Sequence, residues 1–483
     1  MLFQKYQMVS ASAKAGLWFV VCSCIQSGIK FISLPIFASL MSVEQYGIVT
    51  LYTSWSSIIQ IFATLCLGTS TGVFYVAMVK FPNDRNEFTS SMNGLVVVAS
   101  FATLLVLLLS EGLLGDWMGI GIYSYPMMVL EQMGYGFILL WSLRKRFDNA
   151  YRPLLLVTFV FSALSVLIPV ILICLFSTTT ISPSFLKITG EMLATILVGI
   201  VVFADTWRQS QIFFSQGFWK FAMCFNFPLI PHYLSSVVLV QSDRILIAWL
   251  IDASAAAIYA VAYTLGVAVQ VITNALINVV NPWVYKHLES RKEHLVGKSI
   301  IFLVIAVGLL ILSLLCVMPE LFDCFFSTEY ASALLIVPPV AISVLWSFIA
   351  YMYISLELYF EMSKFVSVIS IAGAALNVVL NLIFIPCFGI EAAAYTTMFC
   401  NFIYAVLHCL FTYHLLRKNK MSLSVLPAAP LFGCGICFTL IALLISLTYA
   451  YPLFRYGFFG ISMLFIYIFK NRLFSIVRKQ CSA

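Results

Sequence analysis

IPHYLSSVVLVQSDRILIAWL, residues 230–250, is long and apolar enough to span a bilayer, yet Asp243 and Arg244 stand side by side within it. A helix needs about 20 residues to cross roughly 30 Å of hydrocarbon. An ionised side chain at that depth costs on the order of 3 kcal/mol or more unless it faces protein or water. The stretch therefore reads as a membrane helix with one protected polar face, and the remainder of the chain decides whether that context exists.

Similar runs recur from Ala15 to Phe469 in a chain of 483 residues that is 62% hydrophobic and only 9% charged. Soluble domains do not reach that balance. The expected class is an all-α polytopic membrane protein with about fourteen transmembrane helices. These lie near 15–40, 46–73, 89–110, 123–142, 153–176, 185–204, 221–250, 254–281, 296–318, 333–360, 365–385, 391–415, 427–449 and 454–469. The first run follows Lys5 and Lys14 and lacks a cleavage site before a polar region, so it reads as a retained anchor.

Charge supports the same topology. With a cytoplasmic N-terminus, the inner connections collect Arg144, Lys145, Arg146, Arg152, Arg417, Lys418, Lys420, Lys470, Arg472, Arg478 and Lys479, among most of the 26 lysines and arginines. The outer connections hold Lys187 and Arg455 against Glu44, Glu111, Asp116, Asp252, Glu320, Asp323, Glu329 and Glu391. The net charge of +7 is thus a positive-inside bias and requires no nucleic acid partner; both termini are expected in the cytoplasm. No connection exceeds about fifteen residues, which leaves no soluble domain to house a catalytic core, so the chain reads as a carrier and not an enzyme. Most of the 13 cysteines fall inside spans and read as packing residues. Cys434 and Cys437 have redox spacing but lack a thioredoxin-like context.

An internal repeat is visible. SVEQYGIVTLY at 42–52 aligns with ASAAAIYAVAY at 253–263, and Arg152 with its following span aligns with Lys364 and its span at nearly the same offset. An even number of spans separates the copies, so both have one orientation. The expected organisation is an N-terminal lobe over 1–215, a C-terminal lobe over 216–420 around a central cavity, and two outlying helices over 421–483.

Ionisable residues inside spans are candidates for function. Lys30 and Arg244 are the cations at depth, on the equivalent first helices of the two lobes, and Lys30 aligns with Gln241. Neighbours in a helix diverge by about 100°, so Asp243 and Arg244 do not easily pair. Either Lys30 reaches Asp243 as a structural ion pair, or both cations face one cavity. Asp243, Glu131 and Glu191 are candidates for ion coupling or tuning, or for helix glue. Glu357 reads as an interfacial cluster with Glu361 and Lys364. Amides and hydroxyls recur at helical spacing as Gln270, Asn274, Asn278 and Asn281, and as Thr53, Ser57, Gln60 and Thr64. Such stripes meet either other helices or water. Pro35, Pro228, Pro231, Pro338 and Pro339 mark static kinks or gate hinges. GKS at 297–299 lacks the earlier glycine of a phosphate loop, and the five histidines have no metal-ligand spacing. Neither a metal nor a cofactor is expected.

LPIFASLMSVEQYGIVTLY at 34–52, PLIPHYLSSVVLVQSDRILIAWL at 228–250 and NVVLNLIFIPCFGIEAAAYTT at 377–397 together resemble the Wzx-type polysaccharide flippases of the multidrug/oligosaccharidyl-lipid/polysaccharide exporter superfamily. The resemblance implies a carrier in the bacterial inner membrane that moves an undecaprenyl-pyrophosphate-linked oligosaccharide from the cytoplasmic to the periplasmic leaflet by alternating access. The cargo would be a repeat unit of O-antigen, hence lipopolysaccharide biosynthesis, or of a related surface glycan. It also implies a monomer among membrane lipids, with the glycan polymerase and chain-length regulator as partners. Lys30 and Arg244 fit the expected cationic cavity, and Gln60, Gln241, Gln270, Asn274, Asn278, Asn281, Asn377 and Asn381 fit its polar lining. The chain departs from the family pattern at Glu391, where a small residue is usual.

Two readings share this fold: a lipid-linked peptidoglycan precursor flippase, and a drug or cation antiporter, which would want carboxylates as the dominant cavity charge. A membrane glycan polymerase or ligase would need a long outer catalytic loop, and the longest here, near 319–332, is short and acidic.

Overall fold

Backbone amides in hydrocarbon must find partners within their own segment, which an apolar chain achieves by coiling into helices. In the computed structural model, which describes residues 11–68, 71–289 and 293–481, every run read as a span falls on one or two helices, and the described residues form no strand. The chain divides into two compact units, between Ala257 and Ile258.

The first unit contains α1 (Ala11–Leu40), α2 (Val43–Thr64), α3 (Thr71–Lys80), α4 (Arg85–Leu109), α5 (Glu111–Met118), α6 (Ser124–Phe147), α7 (Tyr151–Leu175), α8 (Pro183–Gln209), α9 (Gln216–Asn226) and α10 (Ile230–Leu250). α11 (Ala253–Gly266) begins there and continues into the second unit. That unit holds α12 (Gln270–Glu289), α13 (Glu293–Phe325), α14 (Ala333–Tyr359), α15 (Ser363–Phe388), α16 (Ile390–Lys418), α17 (Ala428–Leu447) and α18 (Pro452–Cys481). The unit boundary lies later in the chain than the repeat boundary, because α9 packs on α4 and α10 packs on α2.

Eleven helices among the described residues are long and apolar enough to cross a membrane. Of the fourteen expected spans, those on α18, α2 and α6 fall outside that set, α2 and α6 because hydroxyls, amides and Glu131 dilute their apolar residues. Both are sheathed by neighbours, with Tyr52, Trp55, Tyr125 and Met128 deeply buried.

Local sequence sets the boundaries. SVEQ opens α2 with a capping box: Gln45 N donates to Ser42 Oγ at 3.3 Å, and Ser42 N to Gln45 Oε1 at 3.4 Å. A Cβ at Gly47 would lie 1.9 Å from Ala253 O, so this glycine lets α2 meet the start of α11. Pro228 sits in a 3-10 turn, Phe227–Leu229, that divides the seventh span into α9 and α10. The eighth span also breaks, at Val267–Val269, without a proline. Here Gly266 is pressed against Val340, which an added Cβ would meet at 2.6 Å. Pro338 and Pro339, by contrast, lie within a continuous α14.

α14 is the axis of the second unit, flanked by α13, α16 and α17. Trp346 inserts its ring over Gly435 of α17 and donates its indole N–H to Thr439 at 3.2 Å. α18 is fastened to α13 by Arg455, whose Nη1 reaches Glu320 Oε2 and Cys316 O, both at 2.8 Å. Arg455, read above as an outer-connection residue, is in fact almost fully buried at that contact. α17 and α18 both pack on α13 within the second unit.

Candidate functional site

α10 carries the charged pair, and the structure shows what it faces. Its Gln241 is the hub of a polar seam with α2: Gln241 Nε2 donates to Ser57 Oγ at 3.1 Å, while Gln241 Oε1 accepts Arg244 Nη1 at 2.7 Å and lies 3.3 Å from Ser54 Oγ. Ser54 Oγ is closer to Thr50 O, at 2.8 Å, and a hydroxyl has one hydrogen to give. The amide oxygen is therefore committed chiefly to the guanidinium. Arg244 is half-buried, whereas Asp243 is fully buried. The seam arises from spacing: Gln241 and Arg244 are three apart on α10, Ser54 and Ser57 three apart on α2, so each pair shares a face.

Lys30 stands elsewhere on α1. It is exposed, and its ammonium makes no hydrogen bond or ion pair among the described residues, so the alternative pairing with Asp243 is not formed. Along α2, Thr53 is exposed and Gln60 half-buried. The hydroxyls of Thr53, Ser57 and Thr64 turn back onto carbonyls of their own helix at 2.7–2.9 Å, which satisfies the donors and leaves oxygen lone pairs outward.

A second polar group joins α2, α6 and α8. Tyr52 donates to Glu131 Oε2 at 2.9 Å, and Lys187 Nζ pairs with Glu191 Oε1 at 2.8 Å. Lys187 also lies 4.6 Å from the centre of the Phe37 ring. Read above as a residue of an outer connection, Lys187 is buried inside α8. Ser182 caps that helix through Phe185 N, and Pro183 occupies its first turn, so Lys187 and Glu191 sit one helical turn apart on one face. Lys30 and Arg244 are consequently not the sole interior cations. The serine–proline start was the available signal.

In the second unit, Gln270 and Asn274 of α12 are exposed and Asn281 is half-buried; the side chain of Asn278 lies outside the described residues. Asn377 and Asn381 are fully buried. Asn377 donates to Thr397 Oγ1 at 3.1 Å, Asn381 donates to Asn377 Oδ1 at 3.2 Å, and Thr396 donates to Asn381 Oδ1. Their hydrogen-bonding capacity goes into joining α15 to α16.

Comparison with known proteins places this geometry. Among solved structures, the lipid II flippase MurJ in an inward closed conformation is similar with a TM-score of 0.63 at 14% identity, covering 93% of this chain and 100% of that one. An inward-facing MATE-family multidrug transporter of the MOP superfamily gives 0.61 at 12%, covering 82% and 95%. A MOP-superfamily transporter from Pyrococcus furiosus gives 0.53 at 14%, covering 85% and 97%. At such identities the likeness is one of fold. No curated protein matches the chain significantly. The polysaccharide biosynthesis protein model matches residues 12–288, more than half of the sequence, and the chain therefore belongs to the polysaccharide biosynthesis protein family, on the fold of the MOP-superfamily transporters.

Proposed function

We propose that this protein is a flippase that carries an undecaprenyl-pyrophosphate-linked oligosaccharide, an O-antigen repeat unit or related surface glycan, from the cytoplasmic to the periplasmic leaflet of the bacterial inner membrane. The observation that carries the reading is the Arg244 guanidinium held on Gln241 within a mostly apolar helical unit, in a chain of the polysaccharide biosynthesis family.

A pyrophosphate cannot cross hydrocarbon unaided, because stripping water from its charge costs far more than its tail returns. Arg244 would offset that cost with paired, charge-assisted hydrogen bonds, and exposed Lys30 supplies a second mobile cation on α1. The hydroxyls and Gln60 of α2, with Gln241 of α10, would meet the sugars, while the prenyl tail stays in lipid. Glu131 and Glu191, beside Tyr52 and Lys187, are the carboxylates available for ion coupling in the first unit, and Asp243 tunes the neighbouring guanidinium. Alternating access then re-exposes the loaded site to the far side.

A second reading is favoured by the match to the whole length of MurJ: a lipid-linked peptidoglycan precursor as cargo. Deleting the gene and identifying the lipid-linked intermediate that accumulates on the inner leaflet separates the two. A trapped pyrophosphoryl oligosaccharide is expected; a trapped peptidoglycan precursor would select the second reading, and no trapped lipid would overturn both.

A further inference from the structure

The structure separates Glu357 from the cluster in which its sequence neighbours place it. Glu361 and Lys364 are exposed, but Glu357 on α14 and His408 on α16 are each 0% exposed. His408 Nδ1 lies 2.8 Å from Glu357 Oε2, and Thr412 donates to Glu357 Oε1 at 3.2 Å. The other ring nitrogen, Nε2, is buried and has no hydrogen-bond partner among the described residues. Tyr404 stands edge-to-face against the imidazole, with centroids 4.4 Å apart.

Among the described residues, no other charged side chain is hydrogen-bonded to this pair. The titratable neighbours are phenols and a thiol: Tyr404 and Tyr413 on α16, Tyr351 and Tyr353 on α14 with Cys409 beside Tyr353, and Tyr285 of α12, which donates to Ser355 O at 3.1 Å. α17 contributes the Phe432 ring against Tyr353, and α15 contributes Ser370, bonded to the Tyr404 hydroxyl at 3.0 Å.

Proton counting follows from electrostatics. With one proton between them, carboxyl and imidazole are neutral overall, either as an ion pair or as a neutral pair. Adding a second proton or removing the first leaves a net charge sealed in an apolar interior, which is strongly unfavourable without water. The pair therefore changes its proton number most readily when the α14–α16 contact opens, taking the proton from water and returning it to water. The orphaned Nε2 marks where that water would be accepted, since a buried polar atom without a partner is costly.

We propose that Glu357 and His408 form a proton-binding site that loads and unloads only when α14 and α16 part, so that proton occupancy is linked to the conformational cycle. The link to transport rests on the carrier reading above; the site itself does not. Infrared difference spectra of the full chain in lipid nanodiscs, between about pH 5 and about pH 8 on either side of the ordinary histidine range, test it with the proton as the probe. The expected result is a protonated-carboxyl band that responds to pH, vanishes in Glu357→Gln and shifts in His408→Gln. An unaltered difference spectrum in Glu357→Gln overturns the proposal, whatever the cargo. Because glutamine keeps an acceptor for Nδ1–H, that variant retains the local hydrogen bond. In cells, the Glu357→Gln/His408→Gln double variant is expected to lose at least tenfold in glycan display at normal protein level. Wild-type display at every pH tested would overturn the link between proton occupancy and glycan transport, while the infrared result alone decides the site.

Discussion

Gln241 determines how Arg244 is presented, and the two residues can be separated by substitution. Arg244→Ala removes a charge-assisted hydrogen-bond donor of roughly 1.5–3 kcal/mol, so surface glycan display is expected to fall about tenfold or more with membrane accumulation unchanged; immunoblots of glycan and protein check both. Gln241→Glu gives the guanidinium a permanent anionic partner, so it should also depress display without loss of thermal stability. Lys187 and Glu191 call for a cycle of variants. Lys187→Met strands a carboxylate and is expected to cost about 2 kcal/mol in detergent unfolding, whereas Lys187→Met/Glu191→Gln should recover most of that loss.

At the scale of the helix, the turn between α15 and α16 depends on Gly389, which has φ +74° and ψ −160°, a region open essentially to glycine alone. Gly389→Ala is expected to destabilise by about 2 kcal/mol and to lower the unfolding temperature in detergent. The apolar runs made the long helices legible, though not the short α5 between two of them, and Pro228 made the α9–α10 break legible as well. The break at Val267–Val269 was not: no proline marks it, and the neighbouring Gly266 meets Val340 on α14 through a contact that local sequence does not encode. The same limit hid Lys187: its depth depends on where Ser182 starts α8, and a boundary shift of a few residues moves a lysine from connection to interior. Asn377 and Asn381 were visible as amides at helical spacing. Their attachment to Thr396 and Thr397 depends on the chain reversing at Gly389.

For the molecule as a whole, the distribution of lysines and arginines predicts a testable topology. Alkaline phosphatase fused after Ala483 should be inactive, and green fluorescent protein fused there should fluoresce; the reverse outcome would place the C-terminus outside. The class could be read from composition and periodicity, and Arg244 from its charge inside a span; the seam that joins it to Gln241 could not. The pairing of Glu357 with His408 could not, since the two lie on different helices and nothing in either segment names the other.

The seam at Ser54 has one more consequence. Because the Ser54 proton already rests on Thr50 O, Gln241 can swing aside without stranding that hydroxyl, and under the proposed function an arriving phosphate oxygen would take the place of the amide oxygen at Arg244 Nη1. Departure would then let the amide oxygen return to the same donor. Such a placeholder keeps grip and release close in free energy, as a shuttle needs if it is to let go of what it has just picked up.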